Sequence, residues 1–187
     1  MVKIQIITGS TRPNRLNIQV AQWVYKIARQ HAGIEAELVD IADFNLPLLD
    51  EPLPARVGQY TNEHTQRWAH KIAEADGYIF VTPEYNHSVP AALKNAVDYL
   101  YHEWDNKAIG FVSYGAHGGT RAVEAWRLIA AELGMADVRA ALHLSIYTDF
   151  KNFATFEPTA VHESSLSDVC NGVSSWAEAL KSLRIDQ

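Results

Sequence analysis

Apolar residues recur along this chain with two different periods, and the two alternate. Residues 2–7 form a short apolar run. After it Leu16, Val20, Trp23, Val24 and Ile27 fall on one face of a 3.6-residue period. Residues 34–41 alternate Ile34, Ala36 and Leu38 with Glu35, Glu37 and Val39, the pattern of a strand at a sheet edge. A helix is predicted over residues 60–75. Residues 77–82, Gly-Tyr-Ile-Phe-Val-Thr, are apolar without interruption and read as a central strand buried on both faces. Leu93, Ala96, Val97 and Leu100 mark the next helix. Residues 107–114 are a second buried-type strand, followed by a helix carrying Ala122, Trp126, Ile129 and Leu133. Residues 137–144 alternate again, with Val138, Ala140, Leu142 and Leu144 on one side. A last helix places Leu166, Val169, Val173, Trp176, Leu180 and Leu183 at 3-4-3-4-3 spacing.

Five strands alternating with five helices predict an α/β fold, a doubly wound parallel sheet with helices on both faces. The edge-like strands are the second and fifth, which fits the order 2-1-3-4-5. In that order ligands bind beyond the carboxyl ends of the strands. Strands 1, 3 and 4 end in three unusual loops, and all three are expected at one crevice.

The first loop is Thr8-Gly9-Ser10-Thr11-Arg12-Pro13-Asn14-Arg15-Leu16-Asn17. Free N–H groups at a helix start bind anions. Ser10, Thr11 and Asn17 add side-chain donors, and Arg12 and Arg15 add charge. The same residues also suit a plain strand-to-helix turn. No Gly-Lys-Ser/Thr closes the loop and it is not G-x-G-x-x-G, which disfavours an ATPase or a standard dinucleotide fold. The second loop, residues 83–90, has proline at both ends, expected to hold it extended. Backbone groups of Pro83, Glu84, Tyr85 and Asn86 could then read the edge of a planar heterocycle, with Tyr85 against its face. The third loop follows Ser113 and has glycines at 115, 118 and 119, which let backbone approach a ring closely. Glu84, Tyr85 and His117 read equally as turn or interface residues. A ligand with a phosphate at one end and a flat polar ring at the other is implied, and FMN fits.

Composition narrows the partners. The 187 residues carry 16 Lys and Arg against 22 Asp and Glu, a net charge of −6, which leaves no electrostatic footprint for nucleic acid. At 48% hydrophobic, the chain suits one domain over residues 1–187. No apolar run reaches the length of a membrane span, so a cytoplasmic protein without membrane insertion is expected. The single cysteine, Cys170, lies in an amphipathic helix and reads as a small packing residue. His64 and His70 stand six apart on different helix faces, poor metal spacing, and read as surface or packing residues. Residues 44–54, with three prolines among leucines, are expected to pack over the domain or against a second subunit.

Three motifs resemble the NADPH-dependent FMN reductases of the flavodoxin-like fold, a family that includes bacterial quinone, chromate and azo-compound reductases. They are Gly9-Ser10-Thr11-Arg12 with Asn17; Pro83-Glu84-Tyr85-Asn86 with Ser88, Pro90 and residues 93–98; and Ser113 with Gly115, Gly118, Gly119 and Arg121-Ala122. Many members of that family carry a small polar residue where this chain has Arg15. The resemblance covers about residues 2–145. It implies hydride transfer from NADPH or NADH through bound FMN to small-molecule electron acceptors such as quinones. It implies that Ser10, Arg12 and Asn17 hold the phosphate. Pro83 to Asn86 would position the ring, and Ser113, Gly115, Gly118 and Gly119 would line its other side. It implies a homodimer or homotetramer, with residues 44–54 and 90–101 as interface candidates. The rival readings are a flavodoxin-type electron carrier, an FMN-binding redox sensor, and a supplier of reduced flavin to a partner.

Overall fold

The computed structural model describes residues 1–184. Its main sheet has five strands: β1 (Val2–Thr8), β2 (Ile34–Val39), β3 (Gly77–Pro83), β4 (Ala108–Gly115) and β5 (Ala136–Ser145). All are parallel, in the order β2-β1-β3-β4-β5, the order that the edge and buried strand patterns predict. Every residue of β3 is buried, whereas β2 exposes Glu35 and β5 exposes Arg139 and His143.

Helices α1 (Asn17–Ala28) and α5 (Ala160–Leu180) cover one face; α2 (Glu63–Ala73), α3 (Ala91–Asp98) and α4 (Thr120–Glu132) cover the other. Each face has its own core. On the α1/α5 side Val20, Val24, Val169 and Val173 pack on Ile4, Ile6, Ile79 and Val112. On the other side Trp68, Trp104 and Trp126 pack on Tyr78, Phe80 and Phe111, with edge-to-face contacts such as Phe80–Trp126 at 5.4 Å. Such aromatic pairs add attraction beyond the area they bury.

Some boundaries differ from those the periodicity predicts. Helix α2 starts only at Glu63, and α3 ends at Asp98. The buried row of α5 is Leu166, Val169, Cys170, Val173 and Ala177. Trp176 is half exposed and Leu183 falls in an exposed 3₁₀ turn. Burial pushes the Cys170 thiol up to about 12, so it stays an unreactive packing group. His64 packs edge-on against Tyr99 and meets Asp50 at 3.0 Å, while His70 is exposed.

Residues 44–54 pack over the domain by their first half. Phe44 lies against Trp68, and the Pro47 carbonyl accepts from Asn95 Nδ2 and Tyr99 OH. Leu48, Leu49 and Leu53 remain exposed. A short antiparallel hairpin, β6 (Phe150–Lys151) and β7 (Thr155–Phe156), intervenes between β5 and α5. Nothing in the apolar periodicity predicts it. Among the described residues no helix is long and apolar enough to cross a membrane.

Candidate functional site

Parallel pairing brings the carboxyl ends of the central strands level. Thr8 pairs with Val81, Thr82 with Ser113, and Gly115 with Ser145. The loops after β1, β3 and β4 therefore meet at one edge of the sheet.

The first loop turns at Gly9. A side chain there would lie 2.5 Å from the Val81 carbonyl oxygen, so only glycine lets the loop cross β3 this closely. Asn17 fixes the turn from below. Its Oδ1 accepts from Gly9 N–H (2.9 Å) and its Nδ2 donates to the Val81 carbonyl (2.8 Å). Asn17 is wholly buried. The oxygen and one amide hydrogen of Asn17 thus act inside the protein, as a staple between α1, the loop and β3.

Ser10 is also buried; its hydroxyl bonds Tyr85 OH (3.0 Å) and accepts from Arg12 N–H (3.3 Å). The N–H groups of Ser10 and Thr11 have no acceptor among the described residues. Leu16 caps helix α1 without a side-chain bond, and the N–H groups of Asn17 and Ile18 at its start have no acceptor among the described residues. Arg12 is exposed and makes no ion pair among the described residues. Arg15 is paired with Asp40, which also accepts from Thr8 Oγ1 (2.9 Å). The Arg15 Nε is buried and without a partner. The first loop therefore carries open N–H donors and two guanidiniums, one of them shared with Asp40.

The second loop is not extended. Tyr85 and Ser88 exchange both backbone hydrogen bonds at 3.1 Å, with Asn86 (φ 48°) and His87 (φ 73°) between them. Two left-handed central residues make a tight two-residue reversal. Its effect is to lift Tyr85 toward the first loop, where its hydroxyl meets Ser10. Glu84 faces the other way. Burial works against its carboxylate, but bonds from Arg121 Nε (2.7 Å) and N–H (3.1 Å) prevail and hold it below the usual carboxylate range. That pair ties the second loop to the start of α4.

The third loop is closed by Ser113, whose hydroxyl donates to the Gly118 carbonyl (2.7 Å). Its one hydrogen is then committed, so His143 donates to it from Nδ1 at 2.8 Å. Burial lowers the His143 pKa and favours the neutral ring. Gly119 is left-handed (φ 72°), and a side chain there would meet Ser113 Cβ and Tyr114 N at 2.9 Å. The close approach these glycines permit is thus first of all to the loop's own chain: Gly115 abuts Glu84 and Gly119, and Gly118 abuts His143. His117 is exposed at the tip.

Two cavities flank the first loop. One, of about 520 Å³, is lined by Arg12, Arg15, Gln19, Tyr85, Tyr114 and Phe153 among others; the second, of about 440 Å³, by Thr11, Ile41, Leu46, Ala92 and Asn95 among others. Of the expected site residues, Arg12, Arg15 and Tyr85 line the first cavity and Thr11 the second, while Ser10 and Asn17 are buried in and below the loop and line neither. Pro83, Glu84, Asn86, Ser113, Gly115, Gly118 and Gly119 stand beside them and line neither cavity. Asp40 also shapes the site by pairing with Arg15, and Gln19 and Phe153 line the outer part of the first cavity. The strand-end position of Asp40 was the one available sign of it; Gln19 and Phe153 had none.

Comparison with known proteins gives a consistent picture. A family model described as NADPH-dependent FMN reductase matches residues 2–149. An NAD(P)H-dependent FMN reductase of Schizosaccharomyces pombe is 46% identical over 135 residues, 71% of this chain and 68% of that protein. A quinone reductase of Escherichia coli is 38% identical over 127 residues, 64% of this chain and 65% of that protein. Among solved structures, the flavoenzyme NAD(P)H:(acceptor) oxidoreductase FerB of Paracoccus denitrificans superposes with a TM-score of 0.72. It is 20% identical, covering 96% of this chain and 98% of that one. At that identity the likeness speaks to the fold.

Proposed function

Because the chain belongs to the NADPH-dependent FMN reductase family, we propose that it holds FMN at the edge where the three loops meet and passes hydride from NAD(P)H to small acceptors, quinones first among them. The observation that carries this reading is the unsatisfied donor set of the first loop. Ser10 N–H, Thr11 N–H, the open start of α1, the unpaired Arg12 and the orphaned Arg15 Nε together suit an anion. A phosphate of FMN satisfies them together. Bound FMN would supply the hydride relay.

The protein's part is to bind and orient. Asn17 and Gly9 hold the cradle in shape. Tyr85 bridges the cradle to the second loop, and the Glu84–Arg121 pair and the Ser113–His143 pair hold the second and third loops rigid beside the ring. No side chain in the site is assigned a proton-transfer role. Quinone as acceptor follows the names of the bacterial relatives. A homodimer or homotetramer is part of the proposal, with α3 and the exposed leucines at 48, 49 and 53 at its interface.

Two results test it. Arg12→Ala removes a charge-assisted contact worth about 1.5–3 kcal/mol, so FMN affinity is expected to fall roughly 10- to 100-fold. Riboflavin, which has no phosphate, should hardly respond. Equal losses for both ligands in a fluorescence titration would make Arg12 structural. Initial rates varied in both NAD(P)H and a quinone are expected to give parallel double-reciprocal lines, because one exposed ring face must serve both in turn. Intersecting lines would refute the shared face. A purified yellow protein that leaves its flavin oxidised for minutes in excess NAD(P)H would instead be an electron carrier.

A further inference from the structure

The β6–β7 hairpin lies just past the family-matched residues, and the function proposed above uses none of its side chains. Its turn places Asn152 (φ 52°) and Phe153 (φ 55°) in the left-handed region. Asparagine accepts that conformation readily, but a bulky aromatic residue there is an outlier. Such strain persists only where its surroundings over-determine it, and it collects at ligand sites. Here the surroundings are plain. Phe150 and Phe156 are buried on either side, and Trp23 packs edge-on against Phe156. Gln19 grips the hairpin backbone twice, donating to the Ala154 carbonyl (2.9 Å) and accepting from Phe156 N–H (3.1 Å). At the root of the segment Ile146 N–H donates to the Gly115 carbonyl, joining it to the third loop.

All this support displays a ring that does not pack into the core. Phe153 is 62% exposed, yet it lines the 520 Å³ cavity with Arg12, Arg15 and Tyr85. Tyr147, also exposed, stands against it edge to face at 5.9 Å and 87°. The cavity thus offers an aromatic face beside positive charge. It asks for a planar base linked to phosphate. The single ring of FMN is already assigned to the loops after β3 and β4, so a second planar group is needed.

We propose that Phe153 is the stacking platform for the adenine of NAD(P)H. The proposal rests on the reading of the chain as an NAD(P)H-dependent FMN reductase.

The test compares NADPH and NADH with reduced nicotinamide mononucleotide, which delivers the same hydride but has no adenosine. In the FMN-loaded Phe153→Ala protein, the ratio of kcat/KM for NADPH to that for the mononucleotide is expected to fall roughly five- to hundred-fold, the range that base–aromatic stacking gives on alanine substitution. The loss should lie in KM. Calorimetry on the oxidised, FMN-loaded protein should show ADP binding weakened by the same factor, with FMN affinity kept. Phe153→Asn, whose residue suits a left-handed turn, should melt no lower than the parent and still lose the ratio, which separates stacking from folding. An unchanged ratio and unchanged ADP affinity in both variants would overturn the proposal. A loss shared by the mononucleotide, or a loss of FMN affinity, would also overturn it, by placing Phe153 in the flavin site. A parent protein that oxidises neither nucleotide would overturn the reductase reading instead.

Discussion

Asn17→Ala is expected to produce a protein that purifies without flavin and unfolds at markedly lower denaturant. The substitution strands two buried groups at once, Gly9 N–H and the Val81 carbonyl. Each buried group left unpaired costs about 1–3 kcal/mol, so the change in stability is about 2–6 kcal/mol. Binding fails for a separate reason. Without the staple the first loop is free to leave β3, and the open N–H groups of Ser10 and Thr11 no longer converge. Asn17→Asp sharpens the argument. It keeps an acceptor for Gly9 N–H but turns a carboxylate oxygen toward the Val81 carbonyl and sets a negative charge under the cradle. FMN retention should be lower still than its stability loss implies. Urea titration gives the stability, and absorbance of the purified protein gives the occupancy. A variant of parental stability that has lost only FMN affinity would mean that Asn17 touches the phosphate directly.

The internal bonds of Asn17 show where reading a sequence stops. A loop containing Ser, Thr, Arg and Asn announces donors, but not which way each donor faces. Asn17 and Ser10 have the chemistry of anion ligands, and burial turns the whole of Asn17 and the hydroxyl of Ser10 inward. The sheet was legible because burial has a period. Residues 77–82 admit no charged position, while Glu35 and Glu37, and Arg139 and His143, suit an edge strand, and the order follows. The second loop was misread as extended because its prolines dominate the eye. The reversal depends on Asn86 and His87 adopting positive φ, and histidine is an unusual residue for that turn. The hairpin left no sign because its strands are two residues each and its turn contains neither glycine nor proline. Trp176 and Leu183 sat in phase with the buried stripe of the last helix, yet α5 ends at Leu180 and its stripe drifts toward Cys170 and Ala177.

Trp126→Ala should be the most damaging of the core substitutions for the site, because this one side chain joins the core to the second loop. Trp126 is almost wholly buried on α4, edge-on to Phe80 of β3. Its Nε1 donates to Thr82 Oγ1 at 3.2 Å, and that hydroxyl donates to the Pro83 carbonyl at 2.9 Å. Truncating a buried tryptophan costs about 3–5 kcal/mol. In a protein of this length each kcal/mol moves the midpoint by about 2–4 °C, so the melting temperature should fall by roughly 6–20 °C. Trp126→Phe divides the effect. It keeps most of the ring contact with Phe80 but withdraws the donor from Thr82, so it should lose less than half the stability that alanine loses. The Thr82 hydroxyl is then free to turn away from the Pro83 carbonyl, and the second loop loses a fixed point next to Glu84 and Tyr85. FMN affinity in the phenylalanine variant should therefore fall more than its melting temperature suggests. If both variants melt within about 3 °C of the parent on the same scale, the core does not pack Trp126 in this way, and the link from α4 to the loop is refuted with it.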